Sequence, residues 1–282
     1  MCRYIVGAAK YYKSLILTVI IVTLFMPASV IAKDKPSDKP QHAGYNSIYF
    51  GLEQFNSMSD LFVQVSKGGS KDLPNIGSRI DLVNLLGFDD NYSNYGFNAI
   101  FPFGSRSSLT FDYISFASSS SKTLLEESIV FNETTYTIND NITHDFVSSI
   151  GGIGYNFNII QSPRFVFGAG VGLNAFHIDM QLYSELLDEV ESFEIVTPIP
   201  LLTATTHIQI FKWATIRGKV GHISYYNSTL VKADGILDIN LGKNISLFAG
   251  YKLIDISYQD DHENDEAEFK WSGPKGGIYI KL

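Results

Sequence analysis

The sequence predicts an all-β fold: a closed antiparallel up-and-down β-barrel of about ten strands that crosses a membrane and extends above it. Apolar residues alternate with Gly, Asn, Ser or charged residues, as in residues 164–173 (RFVFGAGVGL), and a two-residue period is typical of strands. An apolar segment suited to export precedes these stretches. Short and long connections follow one another between the stretches, as in transmembrane barrels. A soluble β-sandwich is the alternative, but it accounts for neither the export segment nor the small polar residues on one face.

Residues 1–32 are typical of a cleaved secretory signal peptide. Arg3, Lys10 and Lys13 precede an apolar core at residues 15–26 (LILTVIIVTLFM), and small residues follow before residue 32. That core is shorter than the ~20 residues that a membrane-spanning helix needs. The alternative is an uncleaved anchor helix that continues to residue 32. Residues 33–43 (KDKPSDKPQHA) are predicted to be a periplasmic lead-in, and residues 44–282 the barrel.

Ten stretches of the chain alternate strongly enough to be predicted as strands. The first is the least regular, since it also fits a strand followed by a short hairpin, so eight or twelve strands remain open. The predicted strands are residues 44–66, 92–104, 107–118, 143–159, 164–183, 196–212, 214–227, 231–242, 245–258 and 267–282.

The connections between these strands fall into two groups. Tight turns are predicted at residues 104–106, 161–163, 212–213 and 242–244. Longer connections are predicted at residues 67–91, 119–142, 184–195 and 259–266. Because transmembrane barrels have short turns on the periplasmic side and longer loops outside, we expect the second group at the outer surface.

The outward face of several strands changes from apolar to polar towards the loops. In residues 164–183 the odd positions are apolar as far as Ala175, after which His177 and Asp179 occupy them. The same change recurs in other strands, which indicates that the exterior passes from lipid into water. The lumen at that height should then be apolar, like a soluble core. The predicted upper lumen, a hypothetical site for a small hydrophobic ligand, comprises Ile114, Phe116, Phe146, Phe176, Ile178, Leu201, Ile223, Ile254, Ile256 and Trp271.

Lower in the barrel, the inward positions carry charge. The alternation directs Arg217, Lys219 and Lys252 into the lumen, with Asp238 on a neighbouring strand. Lys275 is also predicted to face inwards, and Asp112 and Glu53 are possible partners for these lysines. Because isolated charges in a closed space are costly, ion pairs and trapped water are expected. The alternative is the lining of a narrow ion pathway.

Two motifs resemble known families. Lys275, Gly277, Ile280 and Leu282 resemble the terminal strand signal of Gram-negative outer-membrane barrels, with Leu in place of the usual final Phe. Residues 77–82 (GSRIDL) and 86–90 (LGFDD) resemble the first outer loop of an uncharacterised family of exported barrels, although Val83 and Leu85 replace acidic residues of its pattern. The resemblance implies a small OmpA- or OmpW-like barrel in the outer membrane. Its terminal strand would be recognised by the barrel assembly machinery.

The residues favour no enzymatic chemistry, and we expect no cofactor and no bound metal. The formal charge of −8 argues against a nucleic-acid partner. The only cysteine, Cys2, leaves with the signal peptide. Omptin-like proteases and lipid A-modifying enzymes are barrels with rim sites, but His144 and Ser148 should face the lumen, and His177 and Asp179 should face water. The acidic loop at residues 259–268 lacks the spacing of an EF-hand calcium loop, and we expect it to be a solvent-exposed loop.

Three functions remain open from the sequence. The first is a sealed, non-porin barrel with a structural or surface-interaction role, whose outer loops (above all residues 67–91 and 119–142) contact lipopolysaccharide, a host surface or another protein. The second is the binding or narrow passage of small hydrophobic compounds in the apolar upper lumen, by analogy with OmpW-like barrels. The third is an outer-rim enzyme.

Overall fold

A computed structural model describes residues 47–64, 79–88, 91–126, 128–131, 134–225, 228–260 and 265–282. The predicted signal peptide and lead-in lie outside the described residues. In the described part of the chain, no helix is long and apolar enough to cross a membrane.

Thirteen strands are present among these residues, of which ten are long. Their bounds are β1 (Tyr49–Gln64), β2 (Ile80–Asp81), β3 (Asn91–Phe103), β4 (Ser107–Leu124), β5 (Ile129–Phe131), β6 (Thr134–Tyr136), β7 (Asn141–Gln161), β8 (Phe165–Ser184), β9 (Glu189–Phe211), β10 (Ala214–Tyr225), β11 (Ser228–Asn240), β12 (Ile245–Asp260) and β13 (Asp265–Lys281).

The ten long strands form one closed antiparallel barrel. Each pairs with the next in the order β1, β3, β4, β7, β8, β9, β10, β11, β12 and β13, and β13 pairs back with β1. The closing ladder runs from Tyr49 opposite Lys281 to Gln64 opposite Glu266. Because β1 is a single strand along this whole ladder, the prediction of ten strands is confirmed. Closure gives each of the ten long strands a partner on both sides over part of its length, whereas the part of β9 before Leu202 pairs with β8 alone.

The short strands lie at one end of the barrel. β2 adds two residues to the ladder of β1, and β5 pairs with β6 as a small hairpin. We call this end the loop end. The opposite end, the turn end, carries the tight turns at residues 104–106, 162–164, 212–213 and 241–244. Gly104 adopts a positive φ of 64° in the first of these turns, a conformation that glycine allows at little cost.

The predicted long connection at residues 184–195 is wrong. β8 continues to Ser184, β9 already begins at Glu189, and a turn of residues 185–188 joins them. The outward positions at the start of β9 are Val190, Ser192 and Glu194, whereas Glu189 and Glu191 are in phase with the inward Phe193. Acidic residues therefore occupy positions of both faces, which obscured the alternation.

The exposed surface is divided into two zones along the barrel axis. Around the turn end, large apolar side chains point outwards, among them Leu52, Ile153, Phe167, Val171, Leu202, Val220, Leu247 and Ile278. Towards the loop end the outward positions are polar, as at His177, His222 and Lys270. We call the first zone the apolar belt. Its composition matches the lipid-facing band of transmembrane barrels, and the wall continues beyond it, as predicted.

Candidate functional site

The upper lumen is filled with apolar side chains. Of the ten residues predicted there, nine are at most 4% exposed, and Ile223 packs against them from a partly buried position. Aromatic rings form the centre of this cluster. The Trp271 ring stacks on Phe116 at 4.2 Å between centroids and lies 5.7 Å from the Phe269 ring. The packing is that of a soluble protein core. The ligand-binding interpretation of this region stays a prediction.

The two longest outer loops contribute to the same core. Ile80, Leu82, Leu86 and Phe88 follow β1 and are buried at the loop end. The second loop buries Leu125 and the hairpin residues Ile129, Phe131 and Tyr136. We call these side chains the cap. Sequence reasoning missed the cap because it treated both loops as outward contact surfaces. The signal was present, since these loops carry apolar residues that water does not favour.

Hydrogen bonds to the Asp81 side chain stabilise a tight turn in the first loop and thereby orient the loop. The Oδ1 atom of Asp81 accepts hydrogen bonds of 3.0 Å from the backbone N–H groups of both Val83 and Asn84. Such Asx geometry stabilises a turn locally. It directs Leu82 and Leu86 down onto the lumen, where both are fully buried. The I-D-L part of the loop motif therefore has a structural role here.

His144 lies beneath the cap and is not at an open rim. Its ring stacks on Phe88 with centroids 3.8 Å apart, and its Nε2 atom lies 3.4 Å from the Ser118 hydroxyl oxygen. Burial lowers the pKa of the His144 imidazole to about 4, although a hydrogen bond with the backbone of Leu86 opposes this shift. Ser148 faces inwards as predicted and is fully buried. A buried neutral imidazole under a phenyl ring has no path to a large substrate.

The other described histidines are dispersed. His177 faces outwards and its Nε2 atom lies 3.2 Å from a carboxylate oxygen of Glu194. His207 is buried in the lower lumen, and His222 is exposed on the wall. Within the described ranges, no group of three or more His, Cys, Asp or Glu side chains is arranged to hold a metal ion.

The lower lumen holds a network of ion pairs. Arg217 pairs with Asp238 on the adjacent strand, the arrangement expected from the sequence. Glu53 accepts from two lysines, Lys252 and Lys275, the latter at 3.1 Å. Pairing and hydrogen bonding offset part of the cost of placing these charges inside the barrel.

Two members of this network were not identified from the sequence. Lys232 donates to Asp112 at 2.5 Å and to the side-chain oxygen of Asn174 at 3.1 Å, and Asp234 pairs with Lys275. Both lie on β11 at the even positions that Asp238 also occupies. Continuing that alternation back from Asp238 would have found them.

A cavity of about 140 Å³ lies among these charged groups. Ile114 and Ile254, both part of the packed upper lumen, line it on that side. Its other walls are polar and charged. The charged side chains that line it are Arg217, Lys219, Lys232, Lys252, Lys275, Glu53, Asp112 and Asp234.

The four residues that resemble an assembly signal occupy different surroundings. Lys275 is buried in the ion-pair network, whereas Ile280 and Leu282 are exposed near the turn end. Gly277 faces the lumen, where an added Cβ atom would overlap the carbonyl oxygen of Leu52. The folded barrel therefore needs two of these residues for packing and charge, in addition to any role in assembly.

No protein-family model matches this chain, and no curated protein sequence matches it either. Among solved structures, the outer membrane protease OmpT from Escherichia coli is similar, with a TM-score of 0.54 and 9% identity over 88% of this chain and 99% of that chain. The attachment invasion locus protein Ail of Yersinia pestis aligns with a TM-score of 0.36 and 8% identity over 82% of this chain and 99% of that chain.

The toluene transporter TodX of Pseudomonas putida aligns with a TM-score of 0.32 and 8% identity over 84% of this chain and 90% of that chain. At such identities, structural similarity shows the fold alone. The similarity to OmpT, together with the closed ladder, confirms the predicted resemblance at that level. This chain has the fold of the outer-membrane β-barrel proteins.

Proposed function

We propose that this chain is an outer-membrane barrel with a sealed, non-porin lumen, and that its role is structural or is carried out by its outer surface. One observation carries the proposal: the lumen beyond the apolar belt is packed with buried side chains, and the cap adds a further layer from the loops. A porin needs a continuous aqueous path. Packed aromatic rings such as Trp271 and Phe116 leave no room for one at this height.

The proposed location is the outer membrane of a Gram-negative bacterium, reached with a cleaved signal peptide. The apolar belt supports this location, because its outward side chains suit lipid and the charged network lies inside. The proposed partners are membrane lipid, lipopolysaccharide at the loop end, and the barrel assembly machinery through Lys275, Gly277, Ile280 and Leu282. The polar and charged outward side chains of β8 and β9 would lie above the lipid, in contact with water, and would remain accessible to these partners.

The hydrophobic-ligand alternative needs free volume in the upper lumen. The packing there favours the sealed barrel over this alternative, because a ligand would have to displace rings that already contact one another. The described cavity lies lower and its walls carry charge, so it suits polar solutes better than hydrocarbons.

A rim enzyme is the weakest of the three proposals. Hydrolysis needs a nucleophile or water, a base and an orienting acid that converge at an accessible point. His144 lies under Phe88, and the pair of His177 and Glu194 lies on the outer wall, away from the charged cavity of the lower lumen. We therefore expect no enzymatic activity.

Conductance of the folded protein in a planar lipid bilayer tests the sealed lumen. The wild-type chain should give no steady current steps, because the upper lumen is packed. Replacing two stacked rings, in Phe116→Ala with Trp271→Ala, should introduce current, whereas the outward pair Phe103→Ala with Trp213→Ala should stay silent. Heat-modifiable migration on a gel verifies folding of each variant. Large wild-type steps that scale with salt concentration would refute the proposal in favour of a porin.

A further inference from the structure

We propose that the cavity in the lower lumen binds a small inorganic oxyanion of the size of phosphate or sulfate, with Lys219 as its principal cationic contact. The cavity lies below the packed upper lumen, so an anion site there is independent of the sealed-lumen function.

The acidic groups of the network are already engaged. Asp238 pairs with Arg217, Asp112 with Lys232, and Glu53 with both Lys252 and Lys275, while Asp234 pairs with Lys275 as well. Five basic side chains line the cavity, against these four acidic partners. The excess charge in the cavity is therefore positive, in a chain whose formal net charge is −8.

Of the five basic side chains that line the cavity, Lys219 is the one that takes part in none of these ion pairs. It lies on the cavity wall and, among the described residues, forms no ion pair within 4 Å. Its cross-strand neighbours are Thr205 on β9 and Asp234 on β11, and Asp234 is held by Lys275. Asp112 also attracts Lys219 but is held by Lys232, so the cavity still contains one more basic group than acidic groups. An unbalanced charge inside a wall that faces lipid is costly. A bound anion would supply the missing charge.

The rest of the cavity offers hydrogen-bond donors of the kind that an oxyanion accepts from. The hydroxyl groups of Thr205 and Ser108 and the amide of Asn158 line it. A tetrahedral oxyanion accepts several hydrogen bonds at once, and those that involve charge are about twice as strong as neutral ones. A volume of about 140 Å³ has room for such an ion together with a few water molecules.

The lining also indicates the side from which an ion enters. Ser108 is the second residue of β4, and Asn158 lies three residues before the end of β7, so both are near the turn end. Ile114 and Ile254 line the cavity on the opposite side, within the packed core. An anion would enter from the side of the turns, past a smaller buried apolar cluster that includes Tyr49, Phe248 and Tyr279, because the packed upper lumen closes the other side.

Thermal unfolding of the folded protein in detergent, with added phosphate, sulfate or chloride at constant ionic strength, tests this site. Phosphate and sulfate stabilise proteins non-specifically, so the expected result is a midpoint that rises more in the wild type than in Lys219→Met, because ligand binding to the folded state adds stability. Lys219→Met removes the charge but keeps an apolar stem and breaks no ion pair. Lys243→Met is the matched control, since Lys243 is exposed in the turn between β11 and β12.

Isothermal titration with inorganic phosphate then gives the affinity of each variant. We expect binding at least about tenfold weaker in Lys219→Met, and a smaller loss in Thr205→Val, which removes one donor without a change of charge. The Lys243→Met control should bind like the wild type. Equal binding by Lys219→Met, or no binding by a wild-type chain that migrates as folded, would overturn the proposal. Neither result would affect the conductance test of the sealed lumen.

Discussion

Trp271 should be the most stabilising single side chain of the upper lumen. Its ring is 0% exposed, whereas the other tryptophan, Trp213, is 54% exposed at the turn end. Trp271 stacks on Phe116 and lies within 6.4 Å of the Phe176 ring as well as beside Phe269. Trp271→Ala would remove the centre of this cluster and leave a void that the rigid barrel wall cannot close.

The expected loss in the free energy of unfolding follows from this burial. Replacing a buried Phe or Trp by Ala costs about 3–5 kcal/mol, and we expect the upper part of that range because several rings lose a partner. Trp271→Phe should cost about half as much or less. It keeps an aromatic ring and removes an indole N–H that is buried without a hydrogen-bond partner among the described residues.

Reversible unfolding in guanidinium chloride, with the protein folded into lipid vesicles, measures these losses. Far-ultraviolet circular dichroism is the appropriate signal, because the variants remove tryptophan fluorescence. Trp213→Ala is the matched control. Its ring stacks on Phe211 at 5.3 Å, so its loss should be about 1 kcal/mol, the scale of one aromatic pair. The slope of free energy with denaturant should be the same for all variants.

The reasoning would be refuted if Trp271→Ala lost no more stability than Trp213→Ala at an unchanged slope. The upper lumen would then not be a packed core. If Trp271→Phe lost as much unfolding free energy as Trp271→Ala, the effect would have to come from the indole N–H. That result would contradict the structure, in which this N–H has no hydrogen-bond partner among the described residues.

Two further predictions concern packing and pH. Gly277→Ala should reduce the fraction of protein that refolds in vesicles, measured by heat-modifiable migration, because the added methyl group overlaps the Leu52 carbonyl oxygen. Gly242→Ala is the control, since an added Cβ atom there has no other atom within 4 Å. Refolding of Gly277→Ala equal to that of this control would contradict the packing argument. His144→Phe should remove a pH dependence of the free energy of unfolding. In the folded state the pKa of His144 is about 4, below the ordinary 6.5, so the contribution of the neutral imidazole to stability is fully present above about pH 6.5. As the pH falls to 4, the wild type should lose up to about 3 kcal/mol of stability relative to the variant. A His177→Phe variant that changed the profile as much would contradict this assignment.

Most of the barrel could be predicted from local pattern. The two-residue alternation identified all ten long strands, and it placed Ile254 and Ile256 on the inward face and Asp255 on the outward face. Strand ends were less accurate. β9 begins at Glu189 and not at residue 196. Its first residues carry glutamates on both faces and lack the contrast between faces on which the prediction relied.

The loops were predicted less well than the wall. Leu82 and Phe88 were assigned to outward contact loops, yet both are buried in the cap. No periodic pattern indicates where an irregular segment packs. Its direction follows from the turn that Asp81 stabilises and from the open end of a lumen that it can cover.

By itself, the sequence determined a barrel of about ten strands, the two faces of each strand and the change of the outward face from apolar to polar. These follow from residues one or two positions apart, because successive side chains of a strand point to opposite sides. Only the tertiary structure decided which charges meet. Lys252 and Glu53 are separated by 199 positions and become partners because the barrel closes between β13 and β1. Among the described residues, the same closure leaves Lys219 outside the ion pairs of the lower lumen and creates the cavity beside it, since the shape of a lumen depends on all ten strands together.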